Sequence, residues 1–457
     1  MALPVLSPMQ HQAVKATHDW FVNGGARQVG TDNAREFLLG GYAGSGKSTI
    51  LPVIVDDLGV DPSYIEFCAP TGKAAKVMTE KLKAYGIGKR ARTIHSLIYR
   101  PKPLRAEVLE KNLSDLKGQR DAVLQRLHED GVGSDWQKDE RLIEIDRAIK
   151  ITEKDLDKAY DHSEGPKFQL NPDGDASKAR LIVIDEISMV GEAVADDLRS
   201  FGVPLFGMGD PGQLPPVGDQ PGFLNRDPDF FLSEIHRQAA DNPIIRIANM
   251  LRNGESLKVG NYAGPTQDDW VHVVDRMRDT ATYDLDRDAQ LIVGTHRKRW
   301  FITDKLRQRL GYKSTGPVAG EPLLICKNSR TVPDLVNGTF VECLEDVGYL
   351  KDGKATVPIS IRDELGAART VIACQGLLEE HVLRRKNAAT APKSLAFKAR
   401  IEAEHVDWGW AITCHKSQGS QWDEVIVHDE SGVFGEDAAK WAYTAATRAA
   451  RRLTIVV

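Results

Sequence analysis

An apolar run, Phe37-Leu38-Leu39, leads into Gly41-Tyr42-Ala43-Gly44-Ser45-Gly46-Lys47-Ser48-Thr49, and the stretch behind it, Ile50-Leu51-Pro52-Val53-Ile54-Val55, suits a helix packed on a sheet. Residues 41–49 spell a complete G-x-x-x-x-G-K-S phosphate loop in the strand–loop–helix setting that such a loop needs. Gly41, Gly44 and Gly46 allow backbone conformations that turn successive N–H groups toward phosphate oxygens. Lys47 has the reach for the β- and γ-phosphates, the Ser48 hydroxyl suits Mg²⁺, and Ser45 and Thr49 complete the cradle. A glycine-rich stretch alone can be only a tight turn. The full match in this context reads instead as a site for a nucleoside triphosphate.

Working outward, strand-like runs alternate with amphipathic helical stretches up to about residue 100, including Tyr64 to Ala69 and a helix from Thr71 to Ala84. That alternation implies a parallel sheet with crossover helices. It resumes at Arg180-Leu181-Ile182-Val183-Ile184-Asp185, so residues 101–178 read as an insertion. Between Glu107 and Tyr160 the insertion is highly charged, with apolar residues at helical spacing on either side of a Gly131-Gly133 break, which fits two helices folded back on each other. Its ends, Leu97 to Leu104 and Pro166 to Asn171, are short and strand-like and suit a β-ribbon at the base. A second alternating region runs from Asp288 to Val457, interrupted between about 320 and 406. There Lys351-Asp352-Gly353-Lys354 signals a hairpin between Gly348–Leu350 and Ala355–Val357, and Leu365-Gly366 precedes a strand from Ala368 to Cys374. This interruption reads as a small antiparallel β-barrel. The basic stretch Leu377 to Ile401 is open between a helix, a loop and a DNA-facing surface. The expected class is therefore α/β. The first core comprises 1–100 and 179–231 with 101–178 inserted, and the second comprises 232–319 and 407–457 with 320–406 inserted.

At 457 residues the chain is too long for one ordinary core. A net charge of -5 excludes a protein coated in positive charge, so nucleic-acid binding would rest on a local groove. The five cysteines are scattered without a C-x-x-C pair, which reads as reduced, buried thiols without a zinc site. No apolar run approaches membrane-spanning length, and the N-terminal residues lack a secretory pattern.

The acids that a triphosphatase needs follow the buried run Leu181-Ile182-Val183-Ile184: Asp185 to hold Mg²⁺ through water, Glu186 to orient or deprotonate the attacking water. Gly209-Asp210-Pro211-Gly212-Gln213-Leu214-Pro215-Pro216 follows another strand-like run, and its Gln213 is suited to sense the γ-phosphate. Leu232 to Gln238 supplies Arg237, and Tyr443 to Ala449 supplies Arg448. Two arginines from outside the first core would stabilise charge on the γ-phosphate and so couple closure of the two cores to hydrolysis.

In their order and spacing these segments resemble a superfamily 1B DNA helicase of the RecD and phage Dda type, over nearly the whole chain. Gln10 matches the adenine-reading Q motif, residues 41–49 motif I, Cys68 to Ala75 motif Ia, and Ala91 to Leu97 the Thr-Ile-His motif. Asp185-Glu186 is motif II, Gly209 to Pro216 motif III, Arg237 lies in motif IV, Ala411 to Gln421 is motif V, and Arg448 is the motif VI arginine. The resemblance implies two RecA-like cores, ATP and Mg²⁺ as ligands, and Gln421 beside the nucleotide. It implies single-stranded DNA along Pro70, Thr71, Thr93, His95, His415 and Ser417. Hydroxyls, amides and imidazoles can hold phosphates or stack on bases without reading sequence.

The resemblance further implies 5′→3′ unwinding at single-strand/duplex junctions by a monomer, with Tyr99 and Phe168 as wedge candidates at the base of the insertion. Its setting would be replication or recombination in the cytoplasm of a bacterium or phage-infected cell, beside a single-strand-binding or replication protein. The charged helices depart from the compact Dda pattern and leave the wedge open. Two other readings stay open: a translocase that displaces bound proteins with little unwinding, and a P-loop ATPase that is not a motor.

Overall fold

The computed structural model describes residues 5–25, 35–102, 105–129, 139–161, 168–234, 242–263, 270–275, 289–384 and 390–457. Strands Glu36–Gly41, Ile65–Ala69, Arg92–Thr93, Leu181–Ile184, Leu205–Gly209 and Phe230–Leu232 form one parallel sheet in the spatial order 92–93, 65–69, 181–184, 205–209, 36–41, 230–232. Side chains alternate between its faces, and both faces are covered, so the central strands are rich in apolar residues facing both ways. Leu39, Phe67, Val183 and Phe206 pack on the layer holding helices Pro8–Trp20, Lys47–Asp57 and Gly72–Ala84. Leu38, Cys68, Ile182, Ile184 and Leu205 pack on the other, against Leu97 and Leu198.

The order matters for chemistry. Strand 205–209 lies between 36–41 and 181–184, with Gly207 opposite both Leu38 and Ile184. Three strands thus finish side by side, and the loops after Gly41, Ile184 and Gly209 rise from one carboxyl edge, where α/β sheets bind ligands. Strand 230–232, only three residues long, extends the sheet beyond the strands expected from sequence.

A second sheet has the order 411–413, 290–293, 422–428, 449–456, 270–274, 260–263, parallel except for its last strand. Ile292, Ile412, Val425 and Leu453 face helices Pro243–Arg252 and Ala438–Ala446, while Leu291, Val293 and Ile426 face helix His296–Arg309.

In the first insertion, Tyr99–Pro101 pairs antiparallel with Phe168–Leu170. Helices Arg105–Glu129 and Glu140–Asp161 run antiparallel, burying Leu127, Leu142, Ile149 and Leu156, with Arg120 Nε 2.7 Å from Asp146. The Gly131-Gly133 break lies outside the described residues. Leu97 and Ile98, expected in the ribbon, belong instead to helix Ile94–Ile98, because burial at 2% and 0% exposure holds them in the first core.

The second insertion is a sheet ordered 368–374, 356–363, 340–343, 322–325, 406–408 with antiparallel neighbours. Its two ends meet where Cys374 N–H donates to Glu404 O and Glu404 N–H to Ile372 O, both 2.8 Å, so it closes around Ile325, Ile359, Ile361 and Trp408. The last strand runs to Trp408, past the expected boundary. The expected hairpin at 348–357 does not form. Leu350 N–H donates to Thr315 Oγ1 (2.8 Å) and Gly348 O accepts from Gly316 N–H (2.8 Å), so that segment lies along the 315–316 loop. The sheet's tight hairpin instead turns through Gly366, at φ +85°, from 356–363 to 368–374. The stretch 377–401 holds helices Gln375–Leu383 and Lys393–Glu402, with Arg385 and Lys386 outside the described residues.

All five cysteines are unpaired, and burial pushes their thiols up, Cys326 and Cys343 to about 11 and Cys414 to about 12. No described helix is long and apolar enough to cross a membrane.

Candidate active site and nucleic-acid interface

Gly44 and Gly46 adopt φ of +80° and +79°, and a Cβ on Gly41 would stand 2.5 Å from Ser45 Oγ. Only glycine fits such turns at low cost. Thr49 N–H returns to Gly46 O at 2.9 Å, and helix Lys47–Asp57 opens with no side-chain cap on its N–H groups. Ser45 Oγ is buried without a hydrogen-bond partner, and Lys47 donates to the carbonyls of Gly41 and Tyr42. An uncapped helix start, a glycine cradle, an unsatisfied hydroxyl and an ammonium are a donor set that fits a polyphosphate. The Ser48 side chain lies outside the described residues.

Asp185 and Glu186 follow the neighbouring strand. Asp185 Oδ1 accepts from the Glu186 N–H at 3.0 Å, and Glu186 takes the left-handed φ of +55°. For a non-glycine residue that conformation costs on the order of 1 kcal/mol, and such strain concentrates where a side chain must be aimed. Burial raises the pKa of both carboxyls. The Asp185 charge lifts Glu186 further, and Arg448 and Lys47 pull it back down. A carboxylate raised in this way is suited to accept a proton, and two carboxylates at a strand end suit a divalent cation.

Gln213 is 7% exposed, and its Oε1 is buried without a partner. Arg448 is 7% exposed, and its guanidinium donates to Thr444 O (3.0 Å), Ser420 O (3.3 Å) and Thr447 Oγ1 (3.1 Å), all neutral acceptors. Arg237 lies outside the described residues. Gln10 is buried, and its Oε1 accepts from the Ser7 N–H at 3.0 Å while Ser7 Oγ accepts from the Gln10 N–H, a capping box at the start of helix Pro8–Trp20. Gln421 is exposed just before strand Trp422–His428.

Of the residues expected along DNA, Thr71 and Thr93 are N-caps, accepting from the Ala74 N–H (3.1 Å) and the Ser96 N–H (3.2 Å), and Pro70 is half-buried beside Thr71. The His95 ring lies 5.2 Å from that of Tyr99 and 6.4 Å from that of Phe168, so the two wedge candidates and one expected DNA contact form a single aromatic cluster. Phe168 is 48% exposed, whereas Tyr99 donates its hydroxyl to Asp197 at 2.5 Å. Desolvation lowers both His95 and His415, and His415 lies 5.9 Å from the Phe434 ring. Ser417 is not brought to this surface. It is fully buried and donates to Cys414 O at 2.7 Å, closing its own turn.

Gly419, at φ +75°, packs so closely on the first core that a Cβ there would meet Thr71 Oγ1 at 3.3 Å. The barrel joins the same seam through Lys73–Glu364 (2.9 Å) and Lys416–Asn337 (3.1 Å). A cavity of about 460 Å³ opens here, lined by Lys76, Arg90, Arg92, Thr93, Ser96 and Asn328 among others.

Sequence reasoning missed Tyr443, a residue of the second core that bonds to the phosphate loop. Its hydroxyl accepts from the Ala43 N–H (2.8 Å) and donates to Asp210 Oδ2 (2.6 Å). It sits in the quoted Tyr443 to Ala449 segment, but a link spanning 400 positions leaves no local signal.

Residues 25–276, more than half of the chain, match the AAA domain family. The chain belongs to that family. Residues 409–456 match the UvrD-like helicase C-terminal domain, in keeping with the superfamily 1B, RecD-type resemblance of its motifs. It is 27% identical over 232 residues to the ATP-dependent RecD2 DNA helicase of Deinococcus radiodurans, covering 49% of this chain and 22% of that protein. It is 29% identical over 189 residues to protein R530 of Acanthamoeba polyphaga mimivirus, covering 40% and 29%. The matched stretches thus span less than a third of those relatives' own length. Among solved structures, the Pif1 helicase from Candida albicans is similar at 19% identity and TM-score 0.48, over 99% of this chain and 94% of that one. A Bacteroides Pif1 helicase in complex with ADP-AlF3 and ssDNA is similar at 16% identity and TM-score 0.48, over 99% and 92%.

Proposed function

We propose that this AAA-domain chain is an ATP-dependent DNA helicase that moves 5′→3′ along single-stranded DNA. What supports the reading is that Lys47 of the phosphate loop and Arg448 of the second core both act on the Glu186 carboxyl, while Tyr443 of the second core accepts from the Ala43 N–H of that loop. In this reading Lys47 and the loop N–H groups bind the triphosphate and Gln213 senses its γ-phosphate. Glu186 takes the proton of the attacking water, and Arg448 with Arg237 neutralises charge developing on the γ-phosphate. Mg²⁺, held by Asp185 and Ser48, would supply charge neutralisation on the phosphate oxygens. Gln10 and Gln421 flank the nucleotide.

Pro70, Thr71, Thr93, His95 and His415 mark the proposed path of the strand, with Thr93 lining the cavity beside Lys76, Arg90 and Arg92. Tightening and loosening of the cleft would alternate the grip of the two cores on it. Phe168, half-exposed at the ribbon base, is the better wedge candidate because the Tyr99 hydroxyl is tied to Asp197. The chain would work on single-strand/duplex junctions in replication or recombination, as a monomer in the cytoplasm of a bacterium or a phage-infected cell, with a single-strand-binding protein as a natural companion.

The first test is ATP hydrolysis with and without single-stranded DNA. A motor requires strong stimulation, and a flat response means a P-loop ATPase that is not a motor. Release of streptavidin from biotinylated single strands without duplex unwinding would identify a translocase.

A further inference from the structure

Tyr443 lies on helix Ala438–Ala446 of the second core at 1% exposure, with both hydrogen-bonding functions of its hydroxyl used across the cleft. It accepts from the Ala43 N–H of the phosphate loop, and it donates to Asp210, which is fully buried. Asp210 in turn shapes the loop that carries Gln213. Its Oδ1 accepts from the Gly212 N–H (2.9 Å), and its carbonyl accepts from the Gln213 N–H (3.1 Å). The next residue on the helix, Thr444, accepts from the Leu214 N–H through Oγ1 (2.9 Å), and its carbonyl accepts from Arg448 Nε (3.0 Å). No space is left at this junction. A Cβ on Gly212 would stand 3.1 Å from the Tyr443 ring and 3.2 Å from Arg252 Cδ, and the Arg252 guanidinium lies 3.5 Å over the ring of Tyr42.

We propose that Tyr443 is a positioning residue for ATP hydrolysis, reporting the conformation of the phosphate loop to Gln213 and Arg448 through one shared hydroxyl. This rests on the proposed function, in which the loop holds the triphosphate and the second core closes on it. The phenol touches a backbone N–H and a carboxylate, not reacting atoms. A shift of Ala43 as the loop fills changes the hydroxyl's hold on Asp210. The same shift moves the helix that presents Arg448, so the γ-phosphate sensor and the arginine are set together. A charge-assisted bond to a buried carboxylate has the directionality for this, and a ring without a hydroxyl does not.

The test is steady-state ATP hydrolysis with saturating single-stranded DNA by wild type, Tyr443→Phe, Asp210→Asn and the double variant, with melting temperatures alongside. Tyr443→Phe keeps the packed ring and is expected to lower kcat about tenfold while KM for ATP stays within about twofold. The double variant is expected to be no slower than the slower single, because both changes cut one link. A wild-type kcat in Tyr443→Phe, or a double variant whose loss is the product of the single losses, overturns the assignment. So does a kcat deficit in Tyr443→Phe that disappears on cooling along with its stability deficit, the mark of a packing role. Should wild type lack DNA-stimulated hydrolysis, it is the helicase reading that fails, and this inference falls with it.

Discussion

Glu186→Gln removes one carboxylate while keeping the side chain's shape, and its effects on activity and on stability are expected to have opposite signs. As the proposed proton acceptor for the attacking water, Glu186 contributes about 10²–10⁴-fold to turnover, or roughly 3–5 kcal/mol of barrier. KM for ATP is expected to move little, because Lys47 and the loop N–H groups remain. Stability is expected to rise. Burial and the Asp185 charge raise the Glu186 pKa in the folded chain. The folded state therefore holds this proton more tightly than the unfolded state, so stability declines as pH climbs from the ordinary glutamate range through the raised folded value. Above that window the ionised pair is held at a cost, part of which a neutral amide should recover. ATP hydrolysis with single-stranded DNA and chemical denaturation at neutral and acid pH read both effects. The gain in stability should vanish near about pH 4, where the wild-type carboxyl is itself protonated. A kcat within about threefold of wild type, or a stability that falls together with activity, would refute the assignment.

Other variants probe separate parts of the molecule. Lys47→Ala should abolish turnover and sharply weaken ATP binding measured by fluorescent-nucleotide titration, with melting unchanged. Phe168→Ala should slow strand displacement while leaving DNA-stimulated hydrolysis near wild type; parallel loss of both would remove it as the wedge. Glu321 is fully buried and accepts from Arg307 Nε (2.8 Å), Trp410 Nε1 (3.0 Å) and the Val318 N–H (2.8 Å). Glu321→Ala therefore strands a buried guanidinium and should cost about 3–5 kcal/mol in urea denaturation.

The glycine turns after Gly41 and the paired acids after Ile184 were legible because their pattern is written locally. A phosphate loop needs glycines, lysine and hydroxyl at fixed spacing, and two acids after an apolar strand announce themselves. The spatial order that sets strand 205–209 between those two elements is non-local and had to come from the structure. The hairpin signal at Lys351 to Lys354 misled because its upstream flank pairs with the 315–316 loop instead. Ser417 misled for a related reason: motif membership does not say which way a side chain points, and this hydroxyl points into its own turn. Gln10 serves in the structure as a helix cap, a role that Ser7 three residues earlier could have announced. Tyr443 acts through bonds to Ala43 and Asp210, and their spacing along the chain has no pattern.

Strand displacement from duplexes carrying either a 5′ or a 3′ single-stranded tail, with ATP and Mg²⁺, reads unwinding and polarity in one measurement. A 5′→3′ helicase releases the displaced strand from the 5′-tailed duplex in the presence of ATP and little from the 3′-tailed one. Release from the 3′-tailed duplex alone, or from neither under conditions where single-stranded DNA stimulates hydrolysis, would contradict the 5′→3′ helicase reading.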